Sequence, residues 1–213
     1  MSTTEAIREL VSALIGLDYQ RARGLTRKAL GVGASAKDIL AAVQGGMTDV
    51  GKKYEDGEYF LSELMAAGEI FKAVMEELTP YLASTNPDAI GTVVIGTVQG
   101  DLHDIGKNIV KTLLQASGFK IIDLGVDVSP QGFVDEVRKS GADILGLSAL
   151  LTTTMGQMRI VIDQLEKAGL RGKVRVIVGG NSITKEFGKE IGADAAVREA
   201  AFGARLCREW SKR

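Results

Sequence analysis

A single histidine, His103, has the setting in this chain that is most typical of a chemical site. It is the only histidine among 213 residues, and it follows an apolar run at 92–98. Asp101 lies two residues before it, and Gly100 and Gly106 flank the pair. An imidazole that binds a metal through one ring nitrogen usually donates its other N–H to a carboxylate, and Asp101 is placed to accept it. We therefore interpret His103 as a metal ligand, with glycines that leave room for a large group.

Two other segments end apolar runs with residues suited to binding. Ser-Ala-Leu at 148–150 is followed by threonines at 152–154, and Gly-Gly stands at 179–180. We expect the serine hydroxyl to join a hydrogen-bonded chain with Asp101 and His103. The glycine pair permits a planar group to press against the backbone. Simpler roles stay open, because the threonines and the aspartate are also typical helix caps and the glycines typical turn residues.

Alternating strands and helices must position these segments. Strand-like runs fall at 92–98, 120–124, 144–147, 174–178 and, weakly, 195–197. Amphipathic helices are predicted at 104–116, 130–140, 155–167, 184–191 and 200–210. Five such units predict a Rossmann-like, flavodoxin-type parallel sheet of five strands in the order 2-1-3-4-5, with helices on both faces. Ligands of such sheets bind at the carboxyl ends of the strands, where all three segments fall.

The first part of the chain has a helical pattern instead. A Ser2–Glu5 capping box opens the first helix, and apolar residues then recur at helical spacing in four stretches. A polar loop is expected at 52–58. Four helices with short connections predict a small bundle. A proline among small polar residues marks 84–88 as the linker, so we expect a helical domain at 1–88 and a sheet domain at 89–213.

Composition excludes several classes of function. Lys and Arg number 26 against 27 Asp and Glu, for a net charge of −1, so we expect no nucleic-acid partner. The single cysteine, Cys207, rules out an intrachain disulfide and favours a cytoplasmic location. The first residues lack the regions of a signal peptide, and no apolar run is long enough to cross a membrane. Neither a Gly-Lys-Ser/Thr phosphate loop nor a cysteine cluster occurs.

The motifs together resemble a known family. Three of them, in order and each at the end of the appropriate strand, resemble the cobalamin-binding signature: Asp101-x-His103-x-x-Gly106, Ser148-x-Leu150 and Gly179-Gly180. The stretches 45–51 and 57–65 resemble the cap domain of cobalamin-dependent methyltransferases. Over nearly its whole length the chain is similar to the small corrinoid proteins of methanol, methylamine and aryl-ether methyltransferase systems, and to the cobalamin-binding module of methionine synthase.

The resemblance implies roles for individual residues. It implies that His103 is the lower axial ligand of cobalt in a base-off, His-on corrinoid, with Asp101 and Ser148 assisting it. A lone protein ligand also suits a metal that a macrocycle already holds. Met47 matches a cap position that lies over the corrin, although methionine at helical spacing is more often core. The implied corrinoid contacts are Met47, Gly100, Asp101, Leu102, His103, Asp104, Ile105, Gly106, Ser148, Leu150, Thr152, Thr153, Gly179 and Gly180.

The resemblance also implies a function. The chain would be a corrinoid methyl carrier, a subunit rather than an autonomous enzyme, that accepts a methyl group on cob(I)alamin from a donor-specific methyltransferase. A second methyltransferase would pass the group to tetrahydrofolate or a thiol, and an ATP-dependent reductive activator would restore oxidised cobalt. The alternatives are a cobalt-binding mutase subunit, a cobalamin-based sensor and a receiver-like signalling domain. The methyltransferase-type cap argues against a mutase subunit, and the missing DNA-binding head argues against a sensor. The imidazole after the first strand argues against a receiver-like domain, which would have an acidic cluster there.

Overall fold

The computed structural model describes residues 1–82 and 89–212, which divide into two compact units. The helical unit comprises residues 1–82 together with 116–118, and the sheet unit comprises 89–115 and 119–212. The expected linker at 84–88 lies outside the described residues, so the domain boundary at 88 stays a prediction.

Four α-helices form the described part of the helical unit. They are α1 (Thr3–Ile15), α2 (Tyr19–Gly31), α3 (Ala36–Glu55) and α4 (Leu61–Leu78). The expected capping box is present: the Ser2 hydroxyl accepts from the Glu5 N–H, and the Glu5 carboxylate accepts from the Ser2 N–H. Asp18 and Ser35 cap α2 and α3 in the same way, because their side-chain oxygens accept from otherwise unpaired N–H groups of the first turn.

Helix α3 continues further than the polar residues after 51 suggested. It ends at Glu55, the fourth residue of the predicted loop, with Asp56 as its C-cap and Gly57 at φ +75°. Lys52 and Lys53 lie in the last turn, where cations are favourable next to the carbonyl end of a helix. The glycine, rather than the first polar residue, therefore ends the helix.

The sheet unit alternates strands and helices throughout. Its strands are β1 (Thr92–Thr97), β2 (Lys120–Asp123), β3 (Ile144–Ser148), β4 (Arg175–Gly179) and β5 (Ala195–Val197). Its helices are α5 (Ile105–Ala116), α6 (Pro130–Ser140), α7 (Gly156–Lys167), α8 (Lys185–Glu190) and α9 (Ala200–Trp210). All strand pairs are parallel, in the order β2-β1-β3-β4-β5, which confirms the predicted fold class and strand order.

The extent to which each strand is buried explains how clearly the sequence predicted that strand. Strands β1, β3 and β4 are buried over most of their length and appear as continuous apolar runs, as is usual for strands covered on both faces. The edge strands β2 and β5 are shorter and only partly buried, which is why β5 gave a weak signal. Registration places Thr97, Ser148 and Gly179 side by side where β1, β3 and β4 end.

Among the described residues, no helix is both long enough and apolar enough to span a bilayer.

Candidate functional site

The carboxylate of Asp101 is the centre of the site at the carboxyl edge of the sheet. Asp101 is fully buried in the loop between β1 and α5. Its Oδ1 lies 2.6 Å from Nδ1 of His103 and also accepts the His103 backbone N–H at 3.1 Å. The predicted pairing of imidazole and carboxylate is therefore present, and a second bond to the same oxygen holds the backbone of His103.

The other carboxylate oxygen of Asp101 binds the loop after β3. Oδ2 accepts the backbone N–H groups of Leu150 at 2.8 Å and Leu151 at 3.2 Å. It also accepts the Thr154 hydroxyl at 2.9 Å. The carboxylate thus joins the histidine loop to the loop after the neighbouring strand, and a shift of either loop changes the position of the imidazole.

These bonds determine the charge of Asp101 and the tautomer of His103. Burial alone would raise the pKa of Asp101, but donors from His103, Leu151 and Thr154 hold it well below its usual range. An ionised carboxylate only accepts hydrogen bonds, so Nδ1 of His103 carries the proton. In the neutral ring Nε2 then has the lone pair, and the imidazole side chain is 51% exposed. His103 therefore presents the nitrogen that a metal requires.

Further bonds hold the loop that carries the histidine. The Gly100 N–H donates to Oδ1 of Asp127 at 2.7 Å, and the Asp127 N–H donates to the carbonyl of Asp101 at 3.1 Å. Gly100 has φ +81° and Asp127 φ +54°, a left-handed conformation that is uncommon for an aspartate. These two backbone conformations allow the hydrogen bonds that join the loop after β1 to the loop after β2.

A partly buried ion pair, which the sequence did not reveal, holds the first turn of α5 beside this loop. The Nζ of Lys107 donates to both oxygens of Asp123 at 2.8 and 2.9 Å, and Lys111 adds a third bond at 2.8 Å. Burial alone would raise the pKa of Asp123, yet these lysines and the Gly125 N–H lower it to about 2. The pair links α5 to the end of β2.

Exposed apolar side chains lie in the segments that follow β1, β2 and β3, at the same edge of the sheet as the imidazole. They are between 37% and 71% exposed: Leu102, Ile105, Val126, Leu150 and Leu151. Such a grouping of large apolar side chains on a protein surface usually marks a binding site. The edge of the sheet therefore presents one imidazole nitrogen within an apolar surface.

The structure explains the glycine pair at the end of β4 differently from the sequence analysis, which expected room for a planar group. Gly180 has φ +145°, and a Cβ at this position would lie 1.8 Å from the carbonyl oxygen of Ala149. Gly179 is less constrained, since its Cβ would stand 3.4 Å from the nearest atom. Gly180 is thus required by close packing of the loops after β3 and β4, whatever ligand approaches them.

Ser148 does not occupy the predicted place in the hydrogen-bonded chain. Among the described residues no hydrogen bond joins its hydroxyl to Asp101 or His103, although its backbone carbonyl accepts the N–H of Val98. The hydroxyl that reaches the carboxylate belongs to Thr154, because the turn after β3 brings residue 154 back towards β1; the Thr154 N–H donates to Leu151 at 3.1 Å. The run of three threonines was the only sequence signal for this contact.

The other expected site residues divide into two groups. Gly106, Thr152 and Thr153 are exposed at the same edge of the sheet, as is Asp104, whose carboxylate accepts from Asn108 at the start of α5. Met47 lies in the helical unit and is only 2% exposed, which supports its alternative interpretation as core. Exposed apolar side chains of that unit stand instead at the start of α4: Phe60, Leu61 and Met65.

Two family models match the chain. A B12 binding domain matches residues 91–204, and a second B12 binding domain matches residues 6–79. The first match alone spans more than half of the 213 residues. This chain belongs to the B12-binding protein family.

Relatives of this B12-binding protein match it over almost its full length. The dimethylamine corrinoid protein of Methanosarcina barkeri is 37% identical over 98% of this chain and 99% of the relative. A cobalamin-binding protein from Desulfitobacterium hafniense is similar in structure, with a TM-score of 0.79 and 37% identity over 96% of this chain and 98% of that one. The methanol:cobalamin methyltransferase complex of Methanosarcina barkeri gives a TM-score of 0.86 at 29% identity, over 98% of this chain and 80% of that one. The resemblance drawn from the three motifs is confirmed.

The residues at the edge of the sheet fit a B12 corrinoid. Within residues 1–82 and 89–212 no group of three or more His, Cys, Asp or Glu side chains is placed to hold a metal ion, so a bare ion would find one imidazole only. A macrocycle would supply the remaining ligands, and its broad face would suit the exposed apolar side chains at this edge of the sheet. At Gly106 a Cβ would meet no atom within 4 Å, so the first turn of α5 leaves space there. The matches to the two B12 binding domains confirm the corrinoid binding that the motifs predicted.

Proposed function

We propose that this chain is a corrinoid methyl carrier of a multi-component methyltransferase system. Full-length similarity to methylamine corrinoid proteins is the observation that carries the proposal. The similarity to a methanol:cobalamin methyltransferase complex supports it further. When bound, the corrinoid supplies a cobalt centre able to hold and release a methyl group, and the protein supplies binding and orientation.

His103 would provide the lower axial ligand in a base-off, His-on arrangement. The imidazole points one nitrogen at Asp101 and keeps Nε2 available, and the carboxylate fixes that tautomer. Thr154 and the N–H groups of Leu150 and Leu151 keep the carboxylate ionised and in place. Ser148 would form no hydrogen bond with Asp101 or His103, and it would instead lie at the edge of the corrin.

The apolar side chains around His103 would lie against the corrin and exclude water from its lower face. Burial of apolar surface contributes roughly 25 cal/mol per Å², so such a surface binds a large macrocycle well. We assign the nucleotide tail to the loop that begins at Gly179 and Gly180, because ligands of parallel sheets lie at the carboxyl ends of the strands.

The partners follow from the same role. A carrier needs a donor-specific methyltransferase and a second methyltransferase that uses tetrahydrofolate or a thiol. It also needs an ATP-dependent reductive activator for cobalt that has become oxidised. The carrier does not itself bind the donor molecule, so methylamines, methanol, glycine betaine and aryl methyl ethers are all open, with methylamines first because of the relatives' names.

Loading with hydroxocobalamin followed by methyl transfer tests this function. Wild type and His103→Ala are loaded, desalted and compared by visible absorption, after urea unfolding shows that both apo proteins fold. Each is then reduced and mixed in turn with a methyltransferase specific for each donor class and with that donor. We expect stoichiometric retention by wild type, demethylation of one donor and a changed spectrum and lower transfer in the variant.

Three results would contradict the proposal. Wild type that loses the corrinoid on desalting, or demethylates no donor, is not a methyl carrier. Wild type that instead supports a carbon-skeleton rearrangement with adenosylcobalamin is a mutase subunit.

A further inference from the structure

We propose that Thr97 is a positioning residue for the axial imidazole, an inference that rests on the proposed role of His103. Thr97 is the last residue of β1 and is fully buried. Its hydroxyl donates to the backbone carbonyl of His103 at 2.9 Å. None of the sequence motifs includes this threonine, and it lies six residues before the histidine that it holds.

His103 is held at three atoms by two side chains. Asp101 accepts from the backbone N–H and lies beside Nδ1, while Thr97 donates to the backbone carbonyl. Both Asp101 bonds come from one oxygen of a residue in the same loop, so they orient the ring relative to the loop. The Thr97 bond alone of these three joins residue 103 directly to a strand.

Thr97 is itself held rigidly. Its N–H donates to the carbonyl of Gly125 at 3.0 Å, and its carbonyl accepts the N–H of Val128 at 3.0 Å. Thr97 pairs with Ser148 of β3 on one side, and the bonds to Gly125 and Val128 join it on the other side to the segment that follows β2. A β-branched side chain on a strand also has few χ1 rotamers, so the hydroxyl has a defined direction. A fixed donor therefore sets where the histidine backbone sits.

In the alternative role, the Thr97 hydroxyl only provides a hydrogen-bond donor for the His103 carbonyl. A buried carbonyl without a donor costs stability, so any residue in this position that supplied a proton would suffice for folding. The two roles differ in their consequence for the imidazole. A positioning role requires that the ratio of His103-ligated to unligated corrinoid changes with the hydroxyl, whereas a purely structural role changes only the free energy of unfolding.

Three variants separate these roles. Thr97→Val keeps the shape and removes the donor, and Thr97→Ser keeps the donor. Thr26→Val is the matched control, because Thr26 is also fully buried and donates its hydroxyl to a backbone carbonyl, that of Ala22, at 2.9 Å, but in the helical unit. Thr97→Ala replaces the valine variant if that protein fails to fold.

Each protein is labelled with 15N in its only histidine, loaded with unlabelled hydroxocobalamin and reduced to the paramagnetic Co(II) form. Electron paramagnetic resonance then measures the fraction with an axial histidine nitrogen, because 15N splits the signal into doublets and the 14N of the corrinoid's own base splits it into triplets. Urea unfolding of the apo proteins gives stability separately. For Thr97→Val we expect a ratio of ligated to unligated corrinoid roughly fivefold lower than in wild type, the factor that one net hydrogen bond supplies. Thr97→Ser and Thr26→Val should keep the wild-type ratio.

An unchanged ratio in Thr97→Val, an equal loss in Thr97→Ser, or an equal loss in Thr26→Val would each overturn the inference while leaving the axial role of His103 intact. Wild type with no histidine nitrogen on cobalt would overturn both that role and the inference.

Discussion

The Thr154 hydroxyl lies 2.9 Å from Oδ2 of Asp101, on the carboxylate oxygen opposite the one that stands 2.6 Å from the His103 ring. The hydroxyl has one proton and two acceptors within reach, Asp101 and the carbonyl of Leu151 at 2.9 Å. An ionised carboxylate is the stronger acceptor, so the proton points to Asp101. His103 is thus the end of a chain of three side chains that also includes Asp101 and Thr154.

Replacing Thr154 with valine should weaken this chain without emptying the site. The variant removes a hydrogen bond to a buried charged group, which we expect to lower the free energy of unfolding by roughly 1.5–3 kcal/mol. It should also lower the His103-ligated fraction of bound corrinoid. Urea unfolding and the visible spectrum of the loaded protein measure the two effects, with Thr154→Ser as the control that keeps the hydroxyl. Equal loss in both variants would show that the hydroxyl is not what holds Asp101.

Gly180 should tolerate no side chain, even in the absence of a ligand. A Cβ there would overlap the Ala149 carbonyl oxygen at 1.8 Å, so Gly180→Ala must displace the loop that donates to Asp101. We expect a loss of more than about 3 kcal/mol in unfolding free energy, comparable with severe overpacking. Gly45→Ala in α3 is the matched control, since its Cβ meets nothing within 4 Å and should stabilise the helix by up to about 1 kcal/mol. A neutral Gly180→Ala would show that the loops separate easily.

Glu77 should make the helical unit sensitive to acid. Hydrogen bonds from Arg27 and Arg23 lower the pKa of Glu77 from 4.5 to about 2. The folded state therefore binds this proton less readily than the unfolded state, so the stabilisation is fully present above pH 4.5 and is lost as the pH falls towards 2. We expect Glu77→Gln to reduce the slope of unfolding free energy against pH in this window.

Glu76→Gln serves as the control for that measurement, because the Glu76 side chain is exposed and forms no ion pair among residues 1–82 and 89–212. An identical slope for wild type and Glu77→Gln would refute the contribution of the arginines.

Much of this fold was predictable because its strands and helices bury their side chains in regular patterns. The doubly covered strands β1, β3 and β4 showed as apolar runs, and topology then placed the loops of His103, Ser148 and Gly180 at one edge. The pairing of Asp101 with His103 was equally predictable, since two residues in one short loop have few ways to meet.

The long-range contacts were not predictable from spacing. Thr154 replaces Ser148 beside Asp101 because of how the loop after β3 turns, and a run of polar residues does not encode the direction of a turn. Thr97 was hidden for a similar reason, since a threonine at the end of an apolar strand looks like any β-branched strand residue. Gly180 was noticed, but the structural reason for it, the nearby Ala149 carbonyl, lies in the loop after another strand.

The most direct test of the central claim uses the fact that this chain has one histidine. Protein labelled with 15N in its histidine ring is loaded with unlabelled hydroxocobalamin and reduced to Co(II), and the hyperfine splitting from the axial nitrogen is recorded. If His103 ligates cobalt, the triplet that 14N produces in unlabelled protein becomes a doublet in the labelled protein. The labelled His103→Ala variant should show no such doublet. A triplet that persists in the labelled protein would mean that the corrinoid's own base remains on the metal, and the axial role of His103 would be wrong.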